Sequence, residues 1–219
     1  MFKAIAAFEL RYQLRSPVFW ISAALFFLLA FGATTTDDIQ IGARGNVHVN
    51  SPFAILQTLG ILSVFGIFVV TAFVANAVIR DDETGFAPIL RATRVGKAAY
   101  VLGRFTGATT VAYLVMCATA LGLWLGSWMP WIDPAKIGPQ MPSHYLWALL
   151  LFVLPTVLVI SAAFFALATA TRSLMWTYVG AVAALVLFTV TRLLLRDPTY
   201  DTLNALADPF GVSALQQAT

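Results

Sequence analysis

Apolar residues gather into five long runs that no Asp, Glu, Lys or Arg interrupts: Ser16–Thr36, Gly45–Ile79, Phe105–Ile132, Ile137–Thr171 and Ser173–Thr191. A helix needs about 20 apolar residues to cross roughly 30 Å of hydrocarbon. A helix on a soluble core would instead carry a polar face at every turn. The pattern predicts an all-α fold: a polytopic membrane helix bundle with about five transmembrane helices, at about 17–33, 53–79, 100–129, 145–169 and 174–195. Pro17 suits a first helical position, where its missing N–H costs nothing.

The stretch before the first run differs. Phe2, Ile5, Phe8 and Tyr12 recur at helical spacing and share an apolar arc, with Lys3, Arg11 and Arg15 projecting elsewhere. This predicts an N-terminal interfacial helix over 2–15, its basic groups towards anionic headgroups. The alternative is a simple extension of the first span. Pro17 speaks against a straight continuation, because the residue before a proline is pushed out of helical geometry. A signal peptide is rejected, since the run exceeds an ordinary signal core and four more spans follow.

Composition narrows the function classes. Hydrophobic residues make up 60% of the 219 and charged residues only 11%, against roughly 25% charged in soluble domains. No polar stretch is long enough to enclose a separate soluble core, so a single transmembrane domain over 1–219 is expected. The net charge of +3 reads as basic residues at one membrane face, not as a nucleic-acid surface. Cys117 is alone, which excludes a disulfide framework.

Sorting Lys and Arg by side sets the orientation. Lys3, Arg11, Arg15, Arg80, Arg91, Arg94, Lys97, Arg104 and Arg172 fall on one side, against Arg44, Lys136, Arg192 and Arg196 on the other. Nine against four predicts a cytoplasmic N-terminus. The tail 196–219 then lies outside. Its Pro198, Pro209 and Gly211 and its small hydrophobic content mark an extracytoplasmic connector. With an odd number of spans, at least one more is expected beyond Thr219.

The most polar segment is Arg80–Arg104. Thr84 is a candidate N-cap, Phe86, Ile89 and Leu90 share one face, and Arg91 and Arg94 share another. Acidic residues at its start and basic ones at its end complement a helix dipole. Two readings are open: a solvated loop with membrane-anchoring arginines, or a short cytoplasmic coupling-type helix through which a soluble partner moves the spans.

At this loop the sequence resembles the permease subunits of type-2 ATP-binding-cassette (ABC) exporters. The matching residues are Glu83-Thr84-Gly85, Ile89-Leu90, Ala92-Thr93-Arg94-Val95 and Gly103-Arg104-Phe105; Arg94 stands where the family carries a proline. The short loop around Arg172 also fits the pattern. More narrowly, the loop Ile41–Phe53 and the tail residues Asp208–Gly211 resemble bacterial permeases fused to a zinc aminopeptidase-like domain. No His-Glu-x-x-His motif is present, so no peptidase residues carry over.

The resemblance implies a bacterial inner-membrane subunit with no catalytic site and no cofactor of its own. Its partners would be an ABC ATPase subunit, the lipid membrane, and a second permease half or an identical copy. Residues 84–94 would form the coupling helix. The ATPase interface would draw on Asp81, Asp82, Glu83, Phe86, Arg91, Arg94 and Arg172. The substrate is not indicated: lipid, peptide and drug exporters share this outline.

Other chemistry is weaker. Ion-coupled transport usually needs ionisable groups at mid-membrane, and the spans hold none there; Arg104 and Arg192 sit at span ends. Gln57 and Asn76 read as interhelical hydrogen-bonding groups. His48 and His144, without clustered carboxylates or thiols, make a poor zinc site. Gly103/Gly107 and Gly122/Gly126 read as small-residue contacts between helices, Pro155 as a kink, and Trp124, Trp128 and Trp131 as an interfacial belt. The competing function class is a non-transporting membrane anchor or assembly module for an attached or associated enzyme.

Overall fold

The structure, a computed structural model, describes residues 1–36, 41, 47–85, 92, 96–194 and 208–211. Among these, all regular structure is helical. A short helix α1 (Phe2–Leu14) precedes α2 (Pro17–Thr35), α3 (Pro52–Glu83), α4 (Lys97–Gly126), α5 (Pro142–Thr171) and α6 (Leu174–Leu194). The last five are each long and apolar enough to cross a membrane. The expected coupling-type helix lies in a segment, 86–91 and 93–95, outside the described residues.

Local chemistry sets the helix starts. The Ser16 hydroxyl accepts from the Val18 N–H and Ser51 from the Ala54 N–H, with a proline at the next position in each case. Between α1 and α2 the chain bends at Arg15–Ser16. The Trp20 indole donates back to the Leu14 carbonyl at 3.1 Å and so pins the bend. In α5 the expected disturbance around Pro155 takes the form of a wide π-type turn over Ala148–Val153, directly before the proline.

Helices α3 and α4 form the centre. α5 and α6 pack on α3, while α1 and α2 pack on α4. The core joins Leu59, Leu62, Val70 and Val74 of α3 to Val111, Val115 and Met116 of α4 and to Val153, Val157 and Phe164 of α5. α6 is peripheral: only Thr177 and Ala181 are buried, and Met175, Val182, Leu187 and Leu193 face outward.

Two glycine pairs on α4 decide how close its neighbours come. A Cβ at Gly103 would sit 2.9 Å from the Ile5 side chain, and one at Gly107 would sit 2.6 Å from Glu9 Cβ and 2.9 Å from the Ala6 carbonyl. A Cβ at Gly122 would run into the Phe27 carbonyl of α2, and one at Gly126 would sit 2.8 Å from Thr34 Cβ. The small-residue contacts expected from sequence are therefore real, and they divide the work. The first pair receives α1 and the second receives α2, both running in the direction of α4.

Exposed tryptophans mark two levels. Trp20 and Trp176 lie on the face that carries α1, and Trp128, Trp131 and Trp147 on the opposite face, as in interfacial belts. On that opposite face the Asn50 side chain accepts from the Gly138 N–H (2.7 Å) and donates to the Gly138 carbonyl (2.7 Å), tying the two connections together. The tail returns there too. Phe210 is buried, its ring centroid 4.9 Å from that of Phe188.

Substituting Leu at Gly107 or Gly122 should cost about 1–3 kcal/mol through overpacking, read as a lowered melting temperature in detergent. Gly96→Ala, where a Cβ meets nothing within 4 Å, should leave melting unchanged. Equal melting of all three would refute the close-approach role.

Candidate functional site

At about 1.5 Å per residue the 32 residues of α3 reach about 48 Å, well beyond a hydrocarbon core. The ends of α3 and α4 therefore project past the apolar slab, and on the α1 face these ends are charged. α3 brings Arg80 and Asp81 there, α4 brings Tyr100 and Arg104, and α1 brings Glu9 and Gln13. All except Tyr100, which is partly buried, are buried or nearly so; Glu9 is 0% exposed.

The groups form one network. Arg80 meets Glu9 with Nη2 to Oε2 at 2.7 Å and Nη1 to Oε1 at 3.3 Å. Arg104 bridges Glu9 and Asp81, donating to both carboxylates. The Tyr100 hydroxyl donates to Asp81. Gln13 donates to Glu9 and to the Phe73 carbonyl, the latter at 3.1 Å. The Arg80 guanidinium lies 3.9 Å from the centroid of the Tyr12 ring, a cation–π contact that covers it on the α1 side.

Two arginines balance two carboxylates, so the cluster carries no net charge. Burial pushes the Glu9 carboxyl above its ordinary value, while Arg80 and Gln13 pull it back. Desolvation is the larger influence. Pairing thus offsets burial only in part, as expected of interior ion pairs. Such a cluster is a poor source of net stability but a strict specifier of register, because any shift of α1 along α4 strands a charge.

The face of α1 that packs on α4 carries Glu9 and Gln13, with Ile5 of the apolar arc against Gly103. Phe8 and Tyr12 are 57% and 46% exposed, whereas Glu9 and Gln13 are inside. The reason is geometric. Gly103 and Gly107 admit backbone-close approach only for that side of α1, and Arg80 and Arg104 wait beneath it.

The residues expected at a partner interface divide into three groups. Asp81 turns inward, held by Arg104 and Tyr100, which removes it from the outer surface. Asp82 and Glu83, one turn position later, are exposed. Phe86, Arg91 and Arg94 lie outside the described residues. Arg172 is exposed at the turn between α5 and α6, and Leu174 beyond it packs near Ile79 of α3. Arg172, Asp82 and Glu83 therefore share one face. Arg172 has φ 47° and ψ 34°, a left-handed conformation that ends α5 and that glycine would adopt without strain.

Glu9 was the residue that sequence reasoning missed. It is the sole acidic residue before Asp37 and is spaced four from Gln13. A lone carboxylate in a short helix beside two span-end arginines was the available signal.

Residues 46–195 match the family described as ABC-2 family transporter protein. The chain belongs to that family. It is a multi-pass membrane protein and the permease component of an ABC transporter. No curated protein matches it at a significant level. The family match covers α3 to α6 and so includes Arg80, Asp81, Tyr100 and Arg104; Glu9 and Gln13 on α1 precede it.

Replacing Glu9 by Ala should destabilise the permease by about 3–5 kcal/mol, because it leaves two buried guanidiniums short of a partner. The E9A/R80A double variant should lose clearly less than the sum of the two single changes. Denaturant titration in mixed micelles reads both quantities. Strict additivity would show that the pair is not coupled.

Proposed function

We propose that this permease works with a separate ABC ATPase subunit that docks on the face carrying α1, and that ATP hydrolysis there drives export. In this reading the face is cytoplasmic, in a bacterial inner membrane. The observation that carries the proposal is the position of the charge cluster. It grips the end of α3 and the start of α4, the two supports of the intervening segment 84–96, and it adds α1 through Glu9. A push on that segment would move three helices as a unit.

Other features support the same reading. Nine of the thirteen basic residues belong to this side of the chain. The exposed Asp82, Glu83 and Arg172 offer charges of both signs to a soluble partner. Asp81 leaves the proposed interface and becomes a support beneath it. Phe86, Arg91 and Arg94 remain part of the proposed coupling helix. The outward apolar face of α6 would suit lipid, a second permease half or an identical copy. The resemblance of Ile41–Phe53 and Asp208–Gly211 to permeases fused to an aminopeptidase-like domain is the support for that narrower origin.

Two variants test the docking face. D82K/E83K should lower co-purification of the ATPase subunit from native membranes at least severalfold while leaving melting in detergent unchanged. R172G removes an exposed charge and relieves the left-handed backbone. It should keep or raise thermal stability yet reduce ATPase stimulation by the permease. Full ATPase recovery and stimulation with both variants would reject this face as the docking surface.

A further inference from the structure

The outward side of α1 is not a flat helix surface. With the bend into α2 it forms an open groove of about 780 Å³, bounded by Ala4, Ala7, Phe8, Arg11, Tyr12 and Arg15. Arg11 and Arg15 lie one helical turn apart on the same side, where Cβ atoms are about 5–6 Å apart. Among the described residues neither makes an ion pair. Among the described residues no carboxylate lines the groove: Glu9, the nearest in sequence, faces the other way and is engaged by Arg80 and Arg104. The groove is therefore a cationic recess with aromatic walls and a floor of small residues.

Its depth is set by Trp20. That indole is 65% exposed, sits on the fourth residue of the first span, and donates to the Leu14 carbonyl at the end of α1. Exposed tryptophans settle at the headgroup level. Arg11 and Arg15 precede the span and so reach the phosphate layer on the α1 side.

We infer that this groove binds the headgroup of an anionic phospholipid. Arg11 and Arg15 would share its phosphate oxygens, for which the planar guanidinium is well shaped. Phe8 and Tyr12 would pack against the glycerol and the first acyl carbons. The exposed apolar flank of α2, Val18, Ile21 and Leu25, would carry the chains onward. The inference rests on α1 lying beside a membrane span and is independent of any ATPase partner.

Native mass spectrometry of the full chain in detergent tests it, with dioleoylphosphatidylglycerol and dioleoylphosphatidylcholine titrated separately. Wild-type protein should retain the anionic lipid preferentially. R11Q/R15Q should weaken that binding by about 30-fold, the combined effect of two arginines at about 1 kcal/mol each, with melting unchanged. K97Q, a basic residue of the same face outside the groove, should bind as wild type does. Undiminished phosphatidylglycerol binding by R11Q/R15Q would overturn the proposal. So would an equal loss in K97Q, which would indicate diffuse surface charge. Displacement of the lipid by millimolar inorganic phosphate alone would assign the site to a free anion instead. Loss of ATPase co-purification by R11Q/R15Q with lipid binding intact would make the groove a protein-docking surface.

Discussion

Everything on the α1 face depends on one constraint: four charges are buried together and must stay matched. Glu9 is completely enclosed, and its partners arrive from two other helices. Taking such groups out of water costs several kcal/mol per ion. The cluster therefore tolerates essentially one arrangement of α1, α3 and α4. A purely apolar seam would permit sliding by a turn, whereas this one fixes the register.

The glycines make that arrangement possible. Without Gly103 and Gly107, α1 could not approach α4 closely enough for Glu9 to reach Arg104. Gly122 and Gly126 repeat the device for α2 farther along the same helix. α4 thus serves as a track on which two successive helices sit, with Trp20 bracing the bend between them. Close backbone contact supplies the packing, and the charges supply the choice among packings. In a membrane, where apolar burial between helices gives little, this division of labour is economical.

Much of the fold was legible in the sequence because a bilayer imposes length and polarity on each span. The five helices, the paired glycines and the tryptophans near one end of α4 all follow from local pattern. The inward face of α1 was not legible. The spacing of Phe8 and Tyr12 marks an arc turned to the membrane, and both are exposed. It says nothing of the packed face, because a carboxylate's partners 71 and 95 residues away leave no trace in local periodicity. For the same reason Asp81 read as an accessible neighbour of Asp82 and Glu83. Only tertiary structure shows that Arg104 claims it. The left-handed backbone at Arg172 was equally invisible, since glycine and asparagine are the residues that announce such a turn.

The distance from Glu9 to Arg104 has a consequence for how the protein is made. Translation at about 5–20 residues per second delivers the second arginine about 5–20 seconds after the carboxylate has been synthesised. Throughout that interval α2 can insert, but α1 has no complete seat. Although α1 precedes its partners in the chain, it is secured only once α4 has arrived, and a nascent permease in which α3 or α4 fails to insert leaves Glu9 without its buried arginines. That unpaired carboxylate would distinguish an unfinished molecule from a finished one.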